Sequence, residues 1–114
     1  MKIQIPGKLL FPLLTGCVMA IHPLSATAQA PADLARRNAC MACHGLVHKQ
    51  VGPGFAQIAE RYRGDGEAAA RLAGKIRNGS VGVWGRVIMP RQTQVSEADA
   101  QVLAQWILSQ PTPR

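Results

Sequence analysis

The chain has 114 residues, of which 47% are apolar and 17% are charged, and its formal net charge is +7. This length allows one small domain, and the composition excludes a disordered chain and a collagen-like repeat. The only long apolar stretch lies near the N-terminus, so a protein with several membrane spans is excluded as well.

The first 28 residues have the features of an export signal. Lys2 and Lys8 precede or flank an apolar run over residues 9–21, and Ala26-Thr27-Ala28 supplies the small-x-small pattern that a signal peptidase reads. A membrane span needs about 20 apolar residues, so this run is short for a retained anchor. We expect cleavage after Ala28, with Ala30 as a second choice, and a mature domain over residues 29–114.

The leader also contains a minor alternative. Leu14-Thr15-Gly16-Cys17 resembles the lipobox of bacterial lipoproteins, in which the Cys becomes the lipidated N-terminus. The apolar run continues past Cys17 and the Ala-x-Ala pattern follows it. We therefore expect release into the periplasm, with no stable membrane insertion, rather than a lipid anchor at Cys17.

The mature chain is basic and poor in aromatic residues. Without Lys2 and Lys8, eleven of the thirteen Lys and Arg remain against six Asp and Glu, a net charge of +5. We expect no nucleic-acid partner, because export separates the chain from nucleic acid and the charges form no stripe. Four aromatic side chains remain: Phe55, Tyr62, Trp84 and Trp106. A domain this small is marginal without help, so a bound apolar cofactor would complete the core.

Periodicity predicts an all-α fold built from short helices. The first is expected from Asp33 to about Cys40. The second covers Phe55 to Tyr62, where apolar residues recur at helical spacing. The third covers Glu67 to Arg77, is rich in strong helix formers with Leu72 and Ile76 on one face, and stops at Asn78-Gly79.

A fourth helix is predicted after Ser96, which acts as its N-cap with Asp99 three residues on. Pro111 ends it. Its expected buried stripe is Ala100, Leu103, Trp106 and Ile107. Residues 45–54 and 79–95 show no clear periodicity and are predicted to be irregular. Long irregular segments in a compact domain are usually functional.

The chemistry starts at Cys40-Met41-Ala42-Cys43-His44. This C-x-x-C-H pattern is the attachment signature of c-type haem. Two thiols at this spacing can reach both vinyl groups on one edge of the porphyrin, and His44 can bind the iron from that face. We predict one covalent haem c, linked through Cys40 and Cys43.

Two other uses of the cysteines stay open. A thioredoxin-like dithiol also uses C-x-x-C, but beside a βαβ pattern, and no such pattern is visible. A zinc site needs four ligands. Its only close candidates are Cys40, Cys43, His44 and His48, and a His directly after a Cys is awkward for closing a chelate.

An iron held by His44 has a second axial position. A Met at that position suits electron transfer. Met41 lies between the thiols on the His side, whereas Met89 lies 45 residues after His44 and can reach the other face. His48 is the rival ligand, although its spacing from His44 favours the proximal side. Core filling is the other use for Met89.

The segments CMACH, VGP, KIRNGSVGVWG, MP and AQWILSQ, in this order and spacing, resemble the small bacterial class I cytochromes c of the c-551/552 family. The resemblance covers residues 31–110. It implies about four short helices and long irregular loops wrapped around one covalent haem. It also implies thioether links at Cys40 and Cys43 and axial ligands His44 and Met89.

The same resemblance implies two supporting residues. The carbonyl of Pro53 would accept a hydrogen bond from the non-ligating nitrogen of His44. The indole of Trp84 would donate to a buried haem propionate, although plain packing is the alternative for this side chain. Gln92 stands where relatives have an Asn that contacts the Met, and Lys75 stands where they often have Arg.

The expected function is a diffusible, monomeric periplasmic electron carrier, not an enzyme. The resemblance implies a cytochrome bc-type donor and a nitrite reductase, oxidase or peroxidase as acceptor. Lys49, Arg86 and Arg91 flank the haem segments and would favour acidic partners. Two alternatives stay open: a gas- or peroxide-binding haem protein with a labile sixth ligand, with Gln92 as the nearby donor, and a subunit of a larger complex.

Overall fold

The computed structural model describes residues 2–4, 7 and 28–114. The predicted export signal and the lipobox alternative at Cys17 therefore lie almost wholly outside the described residues. The chain forms α1 (Pro31–Arg37), a 3₁₀ turn (Cys40–Ala42), α2 (Phe55–Arg61), α3 (Ala68–Asn78), β1 (Ser80–Gly82), β2 (Gly85–Met89) and α4 (Glu97–Leu108). In the part of the chain that the structure describes, no helix is long and apolar enough to cross a membrane.

Helix α4 is the centre of the core, and α1, α2 and α3 all pack against it. The predicted cap is confirmed, since Ser96 Oγ accepts a hydrogen bond from the Asp99 N–H at 3.0 Å. Leu103 is fully buried, as predicted. Trp106 is only partly buried and packs against the core cluster at its margin. The helix ends at Leu108, before the Pro that was expected to end it.

Helices α2 and α3 agree with their predictions to within one residue at each end. Their apolar faces join the core around α4, as Phe55 and Ile58 do from α2 and Ile76 does from α3. Gly79 ends α3 with φ +82°. A Cβ there would lie 2.8 Å from the carbonyl oxygen of Met89, so this glycine lets two chain segments approach closely.

The prediction for the first helix was too long. Helix α1 ends at Arg37, and the side chain of Asn38 donates to the Leu34 carbonyl at 2.9 Å. Ala39 then takes a left-handed conformation, with φ 57° and ψ 23°, which stops the helix. The two thiols therefore lie on and just after a 3₁₀ turn rather than at a helix end.

The prediction of irregular structure over residues 79–95 was also incomplete, because β1 and β2 form an antiparallel hairpin there. Ser80 pairs with Met89 and Gly82 with Gly85, and the register shifts between the two pairs. The alternation of apolar and polar residues that is typical of strands is weak here because neither face of the hairpin is buried against a helix. Its apolar side chains are exposed: Val81, Val87 and Ile88.

Candidate functional site

One largely apolar cavity of about 280 Å³ is lined by the residues that the sequence analysis assigned to haem binding. Its lining includes all six of them: Cys40, Cys43, His44, Pro53, Trp84 and Met89. Helices α2, α3 and α4 supply apolar walls, and the hairpin closes another side. Residues that are far apart in the sequence therefore share one site.

The His44 ring is fixed by a hydrogen bond to the backbone. Its Nδ1 lies 2.7 Å from the carbonyl oxygen of Pro53, which is the contact that the resemblance to the c-551/552 family implied. A carbonyl can only accept, so Nδ1 carries the proton in this bond. The Nε2 atom then keeps its lone pair, which is the form that binds a metal.

Two neighbours that the sequence analysis did not assign to the site also hold this ring. Phe55 stacks on His44 with 5.3 Å between centroids and 17° between planes. A Cβ on Gly52 would lie 2.8 Å from Cε1 of the imidazole, so only glycine fits beneath it. Gly52 belongs to the VGP segment and could have been assigned to the site from it. The helical spacing around Phe55 indicated only a core residue.

The two thiols are free and lie at different depths, with Cys40 half-buried and Cys43 exposed. Burial raises the pKa of the Cys40 thiol, and a backbone hydrogen bond at Cys40 opposes this with a smaller effect. The thiol, rather than the thiolate, is therefore the form of Cys40 at neutral pH.

Met89 is the last residue of β2, and its half-buried side chain lines the cavity. The rival residues are placed differently. Met41 packs against the hydrophobic core and does not line the cavity. His48 is exposed and is not among the lining residues either. Of the candidates for a second axial ligand, Met89 is the one that the fold places on the cavity wall.

Trp84 lies in the turn of the hairpin, where 37% of it is exposed. The guanidinium carbon of Arg61 lies 4.7 Å from the centroid of the indole ring. Arg61 ends α2, and no sequence pattern singled it out. Gln92 has other partners, because its amide donates to the Pro90 carbonyl at 2.9 Å and accepts from Gln94 at 3.0 Å.

The alternatives for the cysteines gain no support from the geometry. Within residues 28–114 and the short described segments before them, no three His, Cys, Asp or Glu side chains group to hold a metal ion. A zinc site at Cys40, Cys43, His44 and His48 therefore does not form. The sheet described is a two-stranded antiparallel hairpin, so the βαβ unit of a thioredoxin-like dithiol is not formed by these residues.

The donor set and the walls of the cavity fit a covalent haem. An apolar macrocycle suits the apolar walls, and the two vinyl groups need two free thiols close together. A single imidazole nitrogen and a thioether are one of the axial pairs that haem proteins use. The glycine cradle and the Pro53 carbonyl keep the imidazole of His44 oriented for that use.

Comparison with known proteins places the chain in a family. The family model for cytochrome c matches residues 28–111. Cytochrome c-552 of Nitrosomonas europaea is 54% identical over 82 residues, which are 72% of this chain and 80% of that protein. Cytochrome c-551 of Pseudomonas aeruginosa is 43% identical over 105 residues, which are 92% of this chain and 97% of that protein.

Solved structures confirm the fold. The crystal structure of Nitrosomonas europaea cytochrome c552 superposes with a TM-score of 0.68 at 52% identity and covers 69% of this chain and 98% of its own. The class 1 cytochrome MtoD from Sideroxydans lithotrophicus gives a TM-score of 0.58 at 30% identity, covering 69% and 90% respectively.

This chain belongs to the cytochrome c family and has the class I cytochrome c fold. Proteins of this family carry a covalently attached c-type haem, and the pair Cys40 and Cys43 has the spacing for it. The cytochromes c-551 and c-552 that it resembles are electron carriers rather than enzymes. The protein is therefore a haem-based electron-transfer protein.

Proposed function

We propose that this protein is a monomeric, diffusible electron carrier of the periplasm, with thioether links at Cys40 and Cys43 and axial ligands His44 and Met89. The observation that carries the proposal is that these four side chains line one largely apolar cavity. The haem, when bound, supplies an iron that cycles between the ferric and ferrous states. The side chains of the cavity bind it, orient it and keep water away.

Three contacts support His44 as one axial ligand. The Pro53 carbonyl fixes the tautomer and the rotation of the ring, and Phe55 and Gly52 fix its plane. Because these three contacts hold the ring, His44 would have little freedom to shift when the charge on the iron changes. A ligand that does not move keeps the reorganisation energy of electron transfer small.

The position of Met89 at the end of β2 supports it as the other ligand. The pairing of Ser80 with Met89 fixes the backbone beside the cavity. A Met and a His together raise the reduction potential of a haem and suit electron transfer. With His44 and Met89 as its two axial ligands, the iron would have no position left for a substrate.

The cysteines supply the covalent attachment without any external oxidant or reductant. Each thiol would add its S–H across one vinyl double bond, so that a C–S bond would form and the hydrogen would go to the neighbouring carbon. The thiol form of Cys40, which its raised pKa favours, retains the hydrogen that this addition needs. We expect haem to remain with the polypeptide after acid–organic extraction.

Charge around the cavity supports acidic redox partners. Lys49 and Lys75 line the cavity, Lys75 and Arg91 line the pocket next to it, and neither contains an Asp or Glu of the described residues. Arg86 is exposed on β2. The ion pairs are Arg36–Asp33, Arg63–Glu60, Arg71–Asp65 and Arg77–Glu97, none of which lines either pocket.

These unpaired cations would steer an acidic acceptor, such as a nitrite reductase, oxidase or peroxidase, and an acidic bc-type donor to the haem side of the molecule. The bimolecular electron-transfer rate should then fall as ionic strength rises. Replacing Arg91 by Gln should flatten that dependence, whereas replacing Arg36, which is paired with Asp33 at 2.6 Å, should change it little. A rate independent of salt would contradict acidic partners.

The location rests on the predicted export signal over residues 1–28. We expect a periplasmic protein beginning at Gln29, and the mass of the protein purified from the periplasm tests this directly. A first residue at Cys17 carrying acyl chains would mean a lipid-anchored carrier instead.

The carrier proposal is separated from a gas- or peroxide-binding role by one spectroscopic experiment. Gln92, the donor that such a role would use, is engaged by Pro90 and Gln94, which favours the carrier. We expect a low-spin ferric spectrum with a weak far-red sulfur–iron band, and reversible one-electron reduction. The ferrous protein should bind carbon monoxide slowly or not at all. A high-spin spectrum with rapid carbon monoxide binding would overturn the proposal.

A further inference from the structure

The end of α2 and the turn of the hairpin meet at one contact. Arg61 places its guanidinium carbon 4.7 Å from the centroid of the Trp84 ring, within the range of about 6 Å for a cation–π interaction. A planar guanidinium stacks on an aromatic face better than an ammonium does. The contact ties the exposed turn to a helix that belongs to the core.

The turn itself gives Trp84 little support. Gly82 and Gly85 flank it with φ values of +92° and +104°, and a Cβ at either position would meet nothing within 4 Å. More than a third of Trp84 is exposed. The orientation of the indole therefore depends on its neighbours, and Arg61 is the one stacked on it.

The indole N–H of Trp84 donates to no side chain or carbonyl among the described residues, and Trp84 lines the cavity. Indole is a donor only, and the resemblance to the c-551/552 family implies a haem carboxylate as its acceptor. We propose that Arg61 is a positioning residue that holds this N–H toward such a carboxylate.

This inference rests on the proposed haem site. A nearby arginine, Arg63, serves as the control for a general effect of positive charge. Arg63 lies two residues beyond Arg61, is similarly exposed, and pairs with Glu60 at 2.9 Å and Thr112 at 2.7 Å. Arg61 makes no ion pair among the described residues. The two side chains therefore carry the same charge, and only Arg61 stacks on the indole.

The test compares Arg61→Gln, Arg61→Lys and Arg63→Gln with the wild type in the full-length, exported, haem-loaded protein. Hydrogen exchange of the two indole N–H groups is followed by NMR in the ferrous state. We expect exchange at Trp84 to become about two- to fivefold faster in Arg61→Gln, the size that an exposed cation–π contact predicts. Exchange at Trp106, on α4, should stay unchanged. Arg61→Lys should lie closer to the wild type, and Arg63→Gln should match it.

Each result decides the inference. Faster exchange confined to Trp84 and to Arg61→Gln supports it. Unchanged exchange, equal acceleration at Trp84 and Trp106, or the same effect from Arg63→Gln would overturn it. The absorption spectrum, recorded on the same samples, tests the proposed axial ligands independently. A high-spin spectrum would contradict the proposed axial ligands, whereas the exchange rates would still show whether Arg61 orients the Trp84 indole.

Discussion

The core around α4 and the hairpin of β1 and β2 use the same kinds of apolar residue in opposite ways. Leu103 on α4 is 1% exposed and belongs to the buried core, which also forms part of the cavity wall. Val81 and Ile88 on the hairpin are 61% and 69% exposed and line the cavity. The side chains of the core are buried by the chain itself, whereas the apolar side chains of the hairpin are left exposed beside the proposed haem site.

This difference predicts which changes affect stability and which affect the haem. The largest effect should come from removing both thiols, by Cys40→Ser with Cys43→Ser. We expect the double variant to lose its haem completely on acid–organic extraction, because no thioether remains to hold it. Wild-type protein extracted in parallel is the control. Haem that stays with the double variant, or leaves the wild type, would contradict the attachment.

Truncating a side chain of the core should instead lower the stability of the protein. Leu103→Ala is expected to lower the free energy of unfolding by about 2–5 kcal/mol, as for other buried Leu residues, while the haem stays attached through Cys40 and Cys43. Denaturant unfolding followed by far-UV circular dichroism measures the loss. Val102→Ala, next to it and 40% exposed, is the matched control and should cost far less. Equal losses would mean that α4 is not the centre of the core.

A smaller change in stability is expected at Ala39, which lies between α1 and the 3₁₀ turn that carries Cys40. Ala39 holds a left-handed conformation, at φ 57°, just before Cys40. Ala39→Gly relieves that strain but also makes the unfolded chain more flexible. The net result should be a rise of about 0.5–1 kcal/mol in the free energy of unfolding. The same change at the exposed helical Ala70 should be destabilising by about 0.5–1 kcal/mol. A loss of stability at both positions would contradict the strain.

The smallest effect concerns Asp65, in the loop between α2 and α3, which does not line the cavity. The pKa of Asp65 is lowered chiefly by the hydrogen bond from the N–H of Glu67; desolvation, the second-largest effect, opposes this, and Arg71 lowers the pKa further. A depressed carboxyl pKa stabilises the fold above the ordinary Asp value, and that contribution disappears as pH falls through the folded value. Asp65→Asn should therefore be less stable than the wild type at neutral pH, with a difference that shrinks in acid. A difference that stays constant with pH would contradict this interaction.

The sequence predicted the helices well because each one buries a face against protein. The 3.6-residue period at Phe55, Ile58 and Leu103 reports that burial directly. The capping pattern at Ser96 is local chemistry and was also readable. The end of α1 was missed because an Ala in the left-handed conformation leaves no signal, as a Gly would have done.

The site was predicted from its motif, and of its supporting contacts the family resemblance implied only the one between the Pro53 carbonyl and His44. The C-x-x-C-H pattern identifies Cys40, Cys43 and His44 because the attachment chemistry fixes their spacing. The hairpin carries no period because its apolar residues face the cavity rather than a helix. The stack of Phe55 on His44 and that of Arg61 on Trp84 depend on how distant segments meet, and no local pattern encodes that.

The central proposal is that His44 and Met89 hold the iron from opposite faces. X-ray absorption at the iron edge of the purified ferrous protein tests it most directly. We predict one sulfur scatterer from Met89 beside the porphyrin nitrogens and one imidazole nitrogen, and loss of that sulfur in Met89→His. An iron site of wild-type protein with no sulfur neighbour would contradict the proposal.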